Sequence, residues 1–174
     1  MKVVSEGLSE NDREVNRGQG MIIEKATVSD AGELLVLQKL AYRSEAEIYN
    51  DFNIPPLVQT LESMEEDFGN HLFLKAVLDG RIIGSVRANA REGTCYIGRL
   101  IVHPDFQNRG IGTRLMDEIE KVFSGCERFE LFTGDRSERN LQLYQKRGYL
   151  IFKTAKITDQ TNIVFLEKKS ESRG

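Results

Sequence analysis

The sequence predicts an α/β fold in which helices cover both faces of a mixed, mostly antiparallel central sheet. Three observations support this prediction. Short apolar runs typical of strands alternate with segments whose apolar residues recur at helical spacing. Turn residues at Asp79-Gly80 and Thr158–Gln160 separate pairs of strands, as in antiparallel hairpins. A helix joins the strand at 94–102 to the strand RFELFTG, which implies a right-handed parallel crossover.

The first half of the chain supplies one strand, two helices and three further strands. The strand MIIEKAT opens at Met21, and a helical face follows, with Ser29 or Asp30 as its N-cap. Pro55 and Pro56 interrupt the helical pattern before a second apolar face begins. The apolar positions are Leu34, Leu37, Leu40 and Ala41 in the first helix and Leu57, Leu61, Met64 and Phe68 in the second. The three strands are HLFLKAVL, RIIGSVRAN and TCYIGRLIV.

The second half alternates helices and strands. A loop at His103–Asn108 precedes a helix that begins near Gly110 and stops at Gly125. The apolar face of that helix consists of Ile111, Leu115, Ile119, Val122 and Phe123. The strand RFELFTG, the helix NLQLYQKRG and a terminal hairpin of YLIFKTAKI and NIVFLEKK complete the order.

Composition favours one folded domain, which we place at residues 21–169. Residues 1–20 are polar, without periodicity, and are predicted to form a flexible tail, and residues 170–174 a frayed end. The 24 basic and 27 acidic residues argue against a nucleic-acid partner, and no apolar run is long enough to span a membrane. Two cysteines cannot build a four-ligand metal site, and we expect them to be small buried hydrophobes. The default expectation is a soluble cytoplasmic protein that needs no metal.

The most informative stretch is RLIVHPDFQNRGIGTRL, residues 99–115. A strand ends at a His-Pro turn, and Gly110 and Gly112 open a helix whose free N–H groups can hold a phosphate. Leu115 stands where the third glycine of a dinucleotide fingerprint belongs, and no Gly-Lys-Ser/Thr follows, so a nucleotide-binding module is disfavoured. The local pattern therefore predicts an anion cradle at the start of this helix.

Two motifs resemble signatures of the GNAT superfamily of N-acetyltransferases. Residues 107–112, Gln-Asn-Arg-Gly-Ile-Gly, are similar to the family's acyl-CoA-binding motif, Gln/Arg-x-x-Gly-x-Gly/Ala. Asn140 and Tyr144, followed by Gly148-Tyr149, match its second signature. The resemblance extends over residues 21–168 and implies that the parallel strands splay apart around the pantetheine arm of acetyl-CoA.

The resemblance also implies residue roles. The strand backbone would bind pantetheine and the helix start would bind pyrophosphate, while Asn140 would either contact the arm or serve only its own helix as a cap or first-turn residue. The implied donor-binding residues are Leu100, Ile101, Val102, Gln107, Asn108, Arg109, Gly110, Ile111, Gly112, Thr113, Asn140 and Tyr144. A backbone N–H at 100–102 would polarise the thioester carbonyl.

Tyr144 is the residue that the resemblance assigns to catalysis, because a phenol can protonate the departing coenzyme A thiolate. Its alternative role is packing. The base that deprotonates the amine is left open: Gly98 stands where many relatives carry a glutamate, so Glu92, another carboxylate or a water chain are the candidates. We expect His103 to serve its turn.

The resemblance implies transfer of an acetyl group from acetyl-CoA to a primary amine, on a small molecule or a protein, and is compatible with a homodimer. The alternative is a non-catalytic module that binds acyl-CoA as a sensor or regulator. The resemblance implies that the acceptor is recognised by the first two helices and their connection, together with the last strands. Here the region of the first two helices holds acidic and aromatic residues, which suit a cationic amine or an ordinary polar helix end, namely Tyr42, Glu45, Glu47, Tyr49 and Asp51.

Overall fold

The structure is a computed structural model that describes residues 20–171. Residues 1–19 of the predicted tail and residues 172–174 of the predicted frayed end therefore lie outside the described residues. The strands are β1 Met21–Lys25, β2 Leu72–Leu78, β3 Arg81–Arg91, β4 Thr94–Val102, β5 Arg128–Gly134, β6 Leu150–Lys156 and β7 Asn162–Lys169. The helices are α1 Ala31–Ala41, α2 Arg43–Tyr49, α3 Pro55–Val58, α4 Leu61–Asp67, α5 Ile111–Val122 and α6 Glu138–Lys146.

The strands form one sheet in the order β1-β2-β3-β4-β5-β7-β6. Every neighbouring pair is antiparallel except β4 and β5, which run parallel and are joined through α5. The hairpins β2-β3 and β6-β7 turn at the predicted positions. The predicted mixed, mostly antiparallel sheet is thus confirmed.

The parallel pair separates soon after it begins. β4 and β5 are paired only where Thr94–Tyr96 faces Arg128–Glu130. β4 nevertheless continues to Val102, held by β3, and β5 continues to Gly134, held by β7. Beyond Tyr96 the β5 side of β4 has no strand partner among residues 20–171, so the splayed pair implied by the resemblance is present.

A bulge interrupts β4 beside this gap. The register with β3 shifts between Ser85 and Arg87, so that Arg99 and Leu100 together stand opposite one β3 residue. Arg99 takes φ of 50°, in the left-handed region that few non-glycine residues adopt. An extra residue in one strand reverses the alternation of its side chains beyond that point.

The core divides between the two faces of the sheet. One cluster packs α5 and α6 onto one face and includes Ile97, whereas a smaller cluster packs α1 and α4 onto the other and includes Ile101. Although both residues have odd numbers, they lie on opposite faces because the bulge stands between them. The first cluster also contains Leu115, Met116, Ile119, Phe129, Tyr144 and Tyr149.

The prediction of two helices before β2 was wrong, because four short helices occupy that region. The predicted helix through Leu57 and Phe68 is broken at Gln59, whose backbone is extended. The Gln59 side chain accepts a hydrogen bond from the buried Gln38 at 2.9 Å, and Thr60 restarts the helix by capping α4. Polar contacts with a distant residue therefore decide where this helix stops.

Candidate active site

A cleft of about 600 Å³ lies where β4 and β5 have separated. Its walls are the end of β4, the start of α5, the segment from β5 into α6, and the junction of α1 with α2. Ten of the twelve predicted donor-binding residues line it, namely Leu100, Ile101, Val102, Gln107, Asn108, Gly110, Ile111, Gly112, Thr113 and Asn140. The two that do not line it are Arg109 and Tyr144.

The start of α5 presents unused amide groups to the cleft. Gly110 is the N-cap, with φ of 78°, and Asn108 also has a positive φ of 62°. Neither a side-chain cap nor an acidic first-turn residue satisfies this end of α5. The free N–H groups and the helix dipole therefore favour an anion here. The exposed Arg109 instead lies over Phe106, at 5.2 Å from the ring centroid.

The opposite wall is the first turn of α6. This helix begins at Glu138 rather than at Asn140, so Asn140 is a first-turn residue that also lines the cleft. Its Nδ2 donates to Thr133 Oγ1 of β5 at 3.3 Å, which orients the amide. Arg139 donates to Gln107 and so joins the two walls.

Tyr144 lies one turn further along α6, in the core beside the cleft. Its side chain is only 6% exposed, and its ring centroid is 6.0 Å from that of Tyr149. Burial raises the pKa of the phenol, and electrostatic interaction with Tyr42 and Glu45, which both line the cleft, raises it further. The Tyr144 hydroxyl makes no hydrogen bond within residues 20–171, so it is available to a ligand.

A polar cluster attaches α2 to the end of β5. The Ser137 hydroxyl donates to Glu45 at 2.5 Å. The Tyr49 hydroxyl donates to Asp135 at 3.1 Å and accepts the backbone N–H of Arg136 at 2.7 Å. Ser137 was missed by the sequence analysis, because a serine before a helix is normally interpreted as its cap.

The cleft contains carboxylates that could receive a proton. Glu45 and Glu138 line it, whereas Glu92 is exposed in the turn before β4. Since β4 rises ~3.3 Å per residue, Leu100 is roughly 20 Å from the start of the strand. Glu92 is therefore at the wrong end of β4 to act as the base. The His103 ring accepts the backbone N–H of Asp105 at 3.1 Å, which fits a role within its turn.

Residues 37–149 match the sequence profile of the acetyltransferase (GNAT) family. The chain belongs to this family. It is also 35% identical over 82 residues to an acetyltransferase of Pectobacterium atrosepticum, an alignment that covers 45% of this chain and 57% of that protein. The chain spans about half the length of the curated relatives it matches.

Solved GNAT structures share the fold. The PaiA N-acetyltransferase of Thermoplasma acidophilum in complex with coenzyme A superposes with a TM-score of 0.69 at 18% identity, covering 86% of this chain and 98% of that one. A Salmonella typhimurium acetyltransferase described with its cofactor acetyl-CoA gives 0.65 at 15% identity, covering 89% and 96%. At these identities the likeness shows the fold. Within residues 20–171 of this GNAT chain, we find no helix long and apolar enough to cross a membrane.

We expect Gly134→Ala to destabilise this GNAT domain, because a Cβ there would lie 2.2 Å from the Tyr49 hydroxyl. The clash falls on the polar cluster that attaches α2 to β5, and overpacking of this kind costs about 1–3 kcal/mol. Urea denaturation followed by circular dichroism measures the loss. Gly125→Ala, which meets no described atom within 4 Å, is the matched control, and equal midpoints for the two variants would contradict the prediction.

Proposed function

We propose that this chain is an N-acetyltransferase that moves an acetyl group from acetyl-CoA to a primary amine by direct attack in a ternary complex. The observation that carries the proposal is the unpaired edge of β4. Because β5 leaves β4 after Tyr96, the backbone of Leu100–Val102 is free to pair with an extended ligand. The pantetheine arm has amides that suit this edge, and the start of α5 suits its pyrophosphate.

Two of the solved relatives support the choice of donor, since one holds coenzyme A and another acetyl-CoA. On this chain we assign the donor contacts to the ten lining residues and keep Arg109 as a phosphate contact that requires its side chain to move. Asn140 faces the arm from the α6 wall. The residue assignments are proposals that a ligand-bound structure tests.

In the proposed reaction, the neutral amine attacks the carbonyl carbon of the thioester. A C–N bond forms as the C–S bond breaks, and a backbone N–H of β4 stabilises the developing oxyanion. Tyr144 donates its proton to the departing thiolate, and the proton that the nitrogen loses as it becomes an amide returns through water to the Tyr144 phenolate. Burial raises the pKa of the Tyr144 phenol, so the phenol is protonated and can donate as the thiolate departs.

The amine must lose a proton before it attacks, because an amine with a pKa of ~10.4 is only about 0.04% neutral at pH 7. We assign this proton to Glu45, directly or through water. Glu45 lines the cleft and interacts electrostatically with Tyr144, and Ser137 holds its carboxylate in place. Glu45 therefore replaces Glu92 as the candidate base.

The proposal is tested by calorimetry with coenzyme A and by thiol release from acetyl-CoA across a panel of primary amines. We expect binding of coenzyme A, thiol release that depends on the amine, and a lower rate at neutral pH for Glu45→Gln. Tight binding without amine-dependent thiol release would support a non-catalytic acyl-CoA sensor instead. No affinity for coenzyme A would refute both functions.

We further propose that the protein works in the cytoplasm, as its two free cysteines fit a reducing compartment. The domain boundaries at 21 and 169, a homodimer and the independence from metal, nucleic acid and membrane also remain proposals. Analytical ultracentrifugation of the purified full chain tests the oligomeric state, and fractionation of cells tests the location.

A further inference from the structure

Arg99 makes no ion pair with any of residues 20–171, and the nearby Asp67 carboxylate, which interacts with it electrostatically, is paired with Arg87. The Arg99 Nη1 is buried and makes no hydrogen bond to any of residues 20–171. Its Cζ lies 6.0 Å from the ring centroid of Tyr42, and burial lowers the pKa of the guanidinium. A buried donor without a partner is costly, and such groups often belong to a site that a ligand completes.

The neighbouring charges do not neutralise Arg99. Arg87 donates to Asp67 at 2.5 Å, and the same carboxylate oxygen accepts from Gln59 at 2.6 Å. Burial, together with the charge of Arg87, lowers the pKa of His71, so this ring is neutral at pH 7. Since Asp67 is the counter-ion of Arg87, the cluster of Arg87, Asp67 and Arg99 retains one positive charge.

Open space lies between the two arginines. Gly98 is the cross-strand partner of Arg87 and directly precedes Arg99. A Cβ built on Gly98 would have no described atom within 4 Å. The bulge places Arg99 on the sheet face that also carries Arg87, because Arg99 contacts the ring after α1 and Arg87 contacts α4. The space above Gly98 therefore has room for added atoms with Arg99 beside it, although neither residue is among those that line the cleft.

This space adjoins the reaction centre through Tyr42. The Tyr42 ring lines the cleft and is also the ring over which Arg99 lies. Glu45, one helical turn after Tyr42, lines the same wall. An acceptor whose amine lies beside Glu45 would therefore have to extend past Tyr42 to bring a second group to Arg99.

We infer that the acceptor carries an oxyanion, a carboxylate or a phosphate, a few bonds from the amine that receives the acetyl group. Arg99 binds this oxyanion in the space above Gly98, and Glu45 faces the amine. This inference rests on the proposed acetyltransferase function and adds the acceptor's chemical class. It replaces the expectation of a simply cationic acceptor: of the acidic residues suggested by the sequence, Glu45 lines the cleft, whereas Glu47 is exposed and is not among the lining residues.

The test compares acceptors that differ in the oxyanion, with each rate expressed per neutral amine because the oxyanion also changes the pKa of the amine. Free L-amino acids are compared with the corresponding amino acid amides, and phosphoethanolamine with ethanolamine, by thiol release from acetyl-CoA. We expect kcat/KM to be at least about 10-fold higher for the anionic member of one pair, as for a hydrogen bond to a charged group. The two sets of compounds distinguish a carboxylate from a phosphate.

Arg99→Met is expected to lower kcat/KM for the anionic acceptor about 10- to 100-fold and to leave that of its neutral analogue and the KM for acetyl-CoA unchanged. Arg91→Met is the matched control, since Arg91 also lies over a tyrosine ring, that of Tyr96, but is exposed. Gly98→Glu is a second variant that keeps Arg99: its carboxylate fills the open space and should abolish the preference for anionic acceptors. Gly98→Ala should preserve that preference.

Equal kcat/KM for anionic and neutral acceptors, or a preference that survives both Arg99→Met and Gly98→Glu, would overturn this inference while leaving the acetyltransferase function intact. Failure of the acetyltransferase function itself has a different signature. In that case no amine of either class releases thiol, although coenzyme A binding remains measurable, and the inference is overturned with it.

Discussion

Tyr144→Phe is expected to lower kcat about 100-fold or more, because the coenzyme A thiolate loses its proton donor in the reaction. The dissociation constant for coenzyme A should stay within about twofold of the wild type, since the phenyl ring keeps its packing in the core. Stopped-flow thiol release and calorimetry measure the two quantities. The stability of the fold should not fall, because the Tyr144 hydroxyl has no hydrogen-bond partner in residues 20–171.

The matched control is Tyr149→Phe. The Tyr149 ring is a neighbour of Tyr144, but its hydroxyl donates to Glu120 at 3.0 Å. Removal of this hydroxyl should cost about 1–2 kcal/mol of the free energy of unfolding and leave kcat nearly unchanged. A loss of activity that follows stability in both variants would show that Tyr144 only packs.

The same assignment predicts a pH profile. Burial raises the pKa of Tyr144 above its usual value near 10, so the phenol stays protonated throughout the range in which the amine loses its proton. We therefore expect kcat to rise with pH and to show no fall between pH 8 and 10. A fall in this interval that is absent from Tyr144→Phe would mean that the phenol ionises there, contrary to its buried position.

Gly112→Val is expected to weaken coenzyme A binding about 10- to 100-fold, which corresponds to the 1–3 kcal/mol typical of overfilling a packed site. A Cβ at Gly112 would lie 3.5 Å from Leu143 and 3.8 Å from Leu100, both of which line the cleft. The added methyl groups would therefore extend into the space between the two walls. Calorimetry with coenzyme A measures the change in affinity.

Gly32→Val provides the control for this change. Gly32 is the second residue of α1, as Gly112 is of α5, and a Cβ there meets no described atom within 4 Å. Gly32→Val should alter the free energy of unfolding by less than about 0.5 kcal/mol, and the unfolding of Gly112→Val is measured as well so that affinities are compared between folded proteins. Equal affinity for coenzyme A in the two variants would remove Gly112 from the donor site.

Local pattern was sufficient to predict much of the fold. The hairpins and the α5 face, apart from the exposed Val122, follow from turn residues and apolar spacing, which act over a few positions. The separation of β4 from β5 was predicted only through the resemblance of residues 107–112 and 140–149 to known motifs. The sequences of the two strands contain no signal for the residue at which their pairing ends. The break at Gln59 was missed because its partner, Gln38, is 21 residues away.

The candidate site shows the same division. The glycine loop could be singled out because its proposed function depends on consecutive backbone amides. Glu45 could not be ranked above other acids in its region, since its contact with Ser137 joins residues 92 apart. Glu92 was named as a candidate base because it is close in sequence to β4. The cleft, however, lies at the Leu100–Val102 end of β4, and Glu92 lies at the opposite end. Arg99 was overlooked because the sheet face on which its side chain lies depends on the bulge, which the sequence pattern does not indicate.

The extra residue in the β4 bulge has a consequence for how the substrate specificity of the protein can evolve. In the two proposals above, one strand binds two different molecules: the backbone from Leu100 onward pairs with acetyl-CoA, and the Arg99 side chain binds the acceptor. Substitutions at Gly98 or Arg99 could therefore change the acceptor specificity without weakening the binding of acetyl-CoA. Deletion of either bulge residue, by contrast, would move the side chains of the following β4 residues to the opposite faces of the sheet. We would then expect binding of both acetyl-CoA and the acceptor to be lost.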